Sequence, residues 1–107
     1  MSEFEKRGKG EETKYVLEQE MLFKANARRN KLLGLWVAKL LKLSDEDSLS
    51  YALEMLRMGS EKNGDKLVFD KIRADIDAHG INQSDHQIRR TMDEFEAKAL
   101  RKFERSS

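Results

Sequence analysis

From Lys14 to Leu43 the apolar residues recur at alternating steps of three and four. The row runs Leu22, Ala25, Leu32, Trp36 and Leu43, with Arg29 standing on it, and Leu33, Val37, Leu40 and Leu41 widen it. That period predicts a helix. Between Leu32 and Leu43 the helix is apolar over most of its circumference, which requires neighbours on several sides, so this run is the expected centre of the core and Trp36 one of its anchors. Ser44, with Asp47 three residues on, opens a second helix whose expected inward face is Leu49, Ala52, Leu53 and Leu56. Gly59 is expected to stop it in the left-handed conformation. Asp65 is the expected cap of a third helix facing inward with Val68, Phe69, Ile72 and Ile76, and Gly80 followed by Ile81 reads as a Schellman stop. Ser84 with Gln87 forms a capping box for a fourth helix, which shows Ile88, Met92, Phe95, Ala99 and Phe103 on one face. Connections of roughly three to six residues make neighbouring helices antiparallel. The expected fold is all-α: an antiparallel four-helix bundle over residues 14–107, preceded by a flexible N-terminal arm over residues 1–13 that carries Gly8 and Gly10.

Composition narrows the classes of function. The 107 residues contain no proline, which suits helices throughout, and no cysteine, which excludes disulfides, thiolate nucleophiles and cysteine-based zinc sites. His79 and His86 are the only histidines, so a multi-histidine metal cage is excluded as well. Lys39 and Lys42 interrupt the longest apolar run far short of the roughly 18 residues of a membrane span, and the first residues lack a secretory apolar core. The expectation is a soluble, cytoplasmic chain without direct membrane insertion. Net charge is +1, yet residues 1–44 carry ten Lys or Arg against six Asp or Glu, and residues 45–107 carry eleven against fourteen. Basic character is local to the first part.

Its sharpest expression is the patch Lys24, Arg28, Arg29 and Lys31. Such a patch suits a phosphate or carboxylate partner, with Arg as a planar fork and Lys as a point charge. Arg29 has a second reading, in which its stem covers the core and its head pairs with a neighbouring acid. Both stay open at this level. Gly34 inside a helix calls for a compensation, and close approach of another backbone supplies one. The acids of the third and fourth helices, Asp93 and Glu96 included, read as solvated faces, and His79 as a cation at a helix C-terminus. No nucleophile with a base, no glycine-rich phosphate loop and no zinc pattern is present, so the chain is not read as an enzyme and no catalytic residue is assigned.

The ungapped block from Phe23 to Trp36, containing Ala27-Arg28-Arg29-Asn30-Lys31-Leu32-Leu33-Gly34-Leu35-Trp36, closely resembles the signature of the zeta subunit of the alphaproteobacterial F-type ATP synthase. Tyr51-Ala52, the run Lys71 to Asp75, Ile88-Arg89 and Met92-Asp93 also resemble that family. The resemblance implies a regulatory bundle that binds the α, β and γ subunits of the catalytic sector and blocks ATP hydrolysis with its N-terminal segment. By motif position Phe4, Arg7, Glu12, Lys14 and Tyr15 fall in that inhibitory segment. It further implies non-catalytic binding of ATP or ADP, and a location peripheral to the inner membrane when bound to the synthase. Gly8 and Gly10 depart from the family pattern, standing where inhibitory members carry helix-favouring residues. Two other classes compete with this reading: an adenine-nucleotide-sensing bundle, and nucleic-acid binding through Arg28, Arg29 and Lys31, against which the balanced net charge speaks.

Overall fold

The computed structural model describes the backbone of residues 2–106 and the side chains of residues 18–102. The expected arm, residues 1–13, and Phe103 lie outside the described side chains. Four helices follow one another: α1 (Ser2–Leu40), α2 (Asp45–Gly59), α3 (Gly64–Ala78) and α4 (Asp85–Ser106). Among the described residues there is no strand. Contacts run in opposite order along successive helices. Asn26 meets Gly59 while Gly34 meets Ala52, Tyr51 meets Asp75 while Glu54 meets Lys71, and Phe69 meets Arg89 while Arg73 meets Asp85. Each consecutive pair is therefore antiparallel. No helix is long and apolar enough to cross a membrane among the described residues.

Most of the local signals act as read. Ser44 Oγ accepts from Asp47 N–H at 3.1 Å and caps α2. The capping box of α4 is reciprocal, with Gln87 N–H donating to Ser84 Oγ at 3.1 Å and Ser84 N–H to Gln87 Oε1 at 2.8 Å. Gly80 ends α3 at φ 65°, Ile81 N–H reaches Ile76 O at 3.0 Å, and Ile81 packs on the core, completing the Schellman stop. Val68, Ile72 and Ile76 of α3 and Ile88, Met92 and Ala99 of α4 are buried. Together with Leu33, Val37 and Met55 they form the core, where each large apolar side chain stabilises the fold by about 1.5–3 kcal/mol.

Four expectations are corrected. The apolar face of α2 is Ala52 and Met55, whereas Leu49 and Leu53 are 50% and 52% exposed. Gly34 is the reason: it lets α2 approach so closely that the small Ala52 takes the contact, which rotates Met55 into the core and the two leucines outward. In α1 the buried rows are Ala25, Arg29, Leu33 and Val37 beside Asn30, Gly34 and Ala38, so Leu22 is exposed and Trp36 sits half-buried on the shoulder of the core. Gly59 is not the left-handed stop of α2, and Asp65 does not cap α3. α2 ends at Ser60 in right-handed geometry, the left-handed residue of this connection is Asn63 at φ 65°, and the Asp65 carboxylate is engaged by Arg29 instead.

The stop of α1 carries no sequence signal. Lys42 adopts φ 58°, with Leu43 N–H on Ala38 O at 3.0 Å and Lys42 N–H on Lys39 O at 3.1 Å. This is a Schellman motif with lysine where glycine is the usual occupant. An L-residue there costs about 1 kcal/mol relative to glycine. Lys42→Gly is accordingly expected to raise the thermal midpoint by about 4–8 °C, read by circular dichroism. An unchanged or lower midpoint would contradict the assigned strain.

Candidate functional site

Arg29 stands where α1, the start of α3 and the middle of α4 converge, and it is 3% exposed. Nε and Nη2 donate to Asn30 Oδ1 at 3.2 and 3.0 Å, Nη2 also donates to Asp65 Oδ1 at 2.5 Å, and Nη1 lies 3.9 Å from Glu96 Oε2. The rigid five-donor fork of a guanidinium makes this possible for one side chain. Of the two readings of Arg29, the inward one holds: its head is paired with neighbouring acids.

Asn30 is the matching piece. Because Oδ1 accepts twice from Arg29, the amide orientation is fixed and Nδ2 turns toward α2, where it is buried without a hydrogen-bond partner. A Cβ on Gly59 would collide with Asn30 Nδ2, and one on Gly64 with Gly59 O. The Gly59–Gly64 connection can therefore lie directly on α1, with Asn26 Nδ2 donating to Gly59 O at 3.4 Å. Neither Asn30 nor Gly59 was singled out from sequence as a contact. The available signal was a polar pair, Arg29-Asn30, standing in an otherwise apolar helical register.

The remaining basic residues lie on the surface of α1. Arg28 faces α4 and joins Lys98, Arg101 and Lys102 around a groove of about 500 Å³, whose lining offers donors to an anion. The steps of three and four among the α4 cations were legible as one face, but only the fold brings Arg28 to them. Lys24 and Lys31 are exposed one turn to either side of Arg28. The expected patch thus loses Arg29 to a buried clamp, while Lys24, Arg28 and Lys31 stay one turn apart on the same face of α1. Phe4, Arg7, Glu12, Lys14 and Tyr15 lie outside the described side chains.

Further out, Tyr51 Oη donates to Asp75 Oδ2 at 2.6 Å, and Lys71 lies 3.3 Å from Asp75, 3.6 Å from Glu54 and over the Tyr51 ring at 5.0 Å. Burial pushes the Tyr51 hydroxyl well above its ordinary range, and the Asp75 carboxylate adds to that by accepting its proton. Arg73 pairs with Asp77 and Asp85, which raise its already high pKa in that order, and Arg89 stacks on Phe69 at 4.2 Å. His79 occupies the C-cap of α3, its Nδ1 2.9 Å from Asp75 O. Among the described residues no three His, Cys, Asp or Glu side chains converge as a metal site. What these groups provide is pairing between helices.

Many of the residues that join the helices belong to the resemblance: Arg29-Asn30 and Gly34 on α1, Tyr51-Ala52 on α2, Lys71, Arg73 and Asp75 on α3, and Ile88-Arg89 on α4. A comparison with protein-family models matches residues 1–102 to the ATPase inhibitor subunit zeta. The chain belongs to that family. A comparison with curated proteins returned no match. Membership places this zeta-family chain among regulatory inhibitor subunits of an ATPase, and the block from Phe23 to Trp36 acquires a structural meaning within it. Arg29, Asn30 and Gly34 are the positions at which α1 holds the other three helices.

Proposed function

We propose that this chain is a regulatory, non-enzymatic subunit that binds the α, β and γ subunits of the catalytic sector of F-type ATP synthase, at the cytoplasmic side of the membrane. Its inhibitory segment contacts the sector through Phe4, Arg7, Glu12, Lys14 and Tyr15. The observation that carries this reading is the span of the family match, which runs from residue 1 to residue 102 and so includes the N-terminal segment as well as the bundle. The physical logic is helix-in-groove recognition, with aromatic anchors and flanking charges.

Gly8 and Gly10 weaken the brake. Two interior glycines cost about 2 kcal/mol of helix stability relative to alanine, which corresponds to roughly a thirtyfold loss in docking equilibrium. Titrated into zeta-depleted catalytic sector, the chain is expected to inhibit ATP hydrolysis weakly, and Gly8→Glu with Gly10→Ala is expected to lower the half-inhibitory concentration at least tenfold. Strong inhibition by the unaltered chain at a near-stoichiometric ratio would remove the role assigned to the glycines. Absence of binding would remove the function itself.

A further inference from the structure

The helix pair α1–α2 has two sides. One faces α3 and α4; the other has no helix over it among the described residues. Gly34 packs on Ala52, and in an antiparallel pair the residue following each contact position turns to the same side, so Leu35 and Leu53 emerge together, opposite Leu33 and Met55 of the core. Leu49 joins them one turn earlier on α2. At the other end Phe23, Ala27 and Leu56 line a groove of about 140 Å³ whose floor is Asn30 and Gly59.

Four of the six exposed large apolar residues among those described, Phe23 at 65%, Leu35, Leu49 and Leu53, therefore share this face. Scattered apolar residues need no explanation, but a contiguous row rimmed by polar groups marks an interaction site. A second observation points the same way: Asn30, fully buried in the groove floor, keeps its Nδ2 without a partner, and an unpaired buried donor costs about 1–3 kcal/mol. The charges along the row are one-sided. Lys24, Lys31 and Arg57 flank its length with no ion pair among the described residues, while Glu20 stands at one end and Asp45 and Glu46 at the other. A row of this kind, about as long as α2, suits a helix with an apolar stripe and carboxylates along its flank.

We propose that the outer α1–α2 face is a second docking surface, which receives an acidic-flanked amphipathic helix of the catalytic sector and seats one of its apolar side chains between Phe23 and Leu56. The inference rests on the proposed function, which assigns contact only to the N-terminal segment. Phe23 lies on α1, the helix that also carries that segment, so the two contacts adjoin along the chain.

The test uses the full chain and purified catalytic sector in calorimetric titrations. Phe23→Glu with Leu53→Glu, both at exposed positions, is expected to weaken binding at least tenfold and to leave the thermal midpoint unchanged, whereas Leu67→Glu, at an exposed site on α3, leaves the affinity within twofold. Lys24→Glu with Lys31→Glu is expected to weaken binding and flatten its salt dependence. Unaltered affinity in both double variants overturns the docking surface and leaves the proposed function standing. Failure of the unaltered chain to bind overturns both. Concentration-dependent dimers in light scattering that vanish with Phe23→Glu and Leu53→Glu would assign the face to a second copy, and so overturn the proposal.

Discussion

Gly34→Ala is expected to cost about 3 kcal/mol and to lower the thermal midpoint by about 10–20 °C. On helix propensity alone the substitution should stabilise, since alanine is about 1 kcal/mol better than glycine inside a helix. Packing reverses the sign. A Cβ at this position would stand 2.5 Å from Ala52 Cα and 3.2 Å from Ala52 N, and these are backbone atoms that no rotamer change can move. The helices α1 and α2 would have to separate, and a gap of even half an ångström forfeits a large part of the dispersion attraction along the whole contact. Circular dichroism melts and urea titrations measure this directly. A midpoint equal to or above that of the unaltered chain would show that the close approach is not required.

Arg29→Ala is expected to be the other severe change, at about 2–3 kcal/mol. The loss does not come from stranded acids, because Asp65 and Glu96 are 72% and 51% exposed and regain water when the guanidinium leaves. It comes from Asn30. With Arg29 gone, Oδ1 loses both donors while Nδ2 already has no acceptor, so a fully buried amide is left unpaired at both ends. The emptied space beside α3 and α4 adds a cavity cost. Arg29→Lys recovers little, since an ammonium is a point donor and cannot hold Asn30 and Asp65 together. In an Asn30→Leu background the cost of Arg29→Ala is expected to fall below about 1 kcal/mol, which isolates the coupling in a double-mutant cycle. A cost that stays the same in both backgrounds would show that Asn30 is not the dependent partner.

What could be read in advance follows the range of the interaction. Ser44 with Asp47, Ser84 with Gln87 and Gly80 with Ile81 act over three to six residues, and all three do what their spacing predicts. The inward faces of α3 and α4 were legible because their apolar residues form one narrow row each. In α1 and α2 leucines occupy too much of the circumference for periodicity to choose a face. The choice fell to the smallest residues, Gly34 and Ala52, and the leucines that lost it are Leu35, Leu49 and Leu53. Gly59 was legible as important but not for its reason, since a helix-end glycine looks the same whether it supplies a left-handed turn or room for Asn30. Lys42 carries no cue, because its conformation is imposed by where α2 must begin.

The basic block shows the same division. Lys24, Arg28 and Lys31 stand at i, i+4 and i+7 and so share one face of α1, whereas Arg29 points elsewhere, and the sequence left open whether it joined the patch or turned inward. Which cation goes inward was decided by the arrival of Asp65 and Glu96 from two other helices, and which one lines a groove by the arrival of Lys98 and Arg101. By itself the sequence determined the number of helices, the caps that open α2 and α4, the stop of α3, the family and the absence of cysteine chemistry, all of which depend on residue types and short spacings. The tertiary structure decided the rotation of α2, the burial of Arg29 and the apolar row left open on the α1–α2 face. Those depend on contacts between residues as far apart as Arg29 and Glu96, and such contacts exist only once the helices have packed.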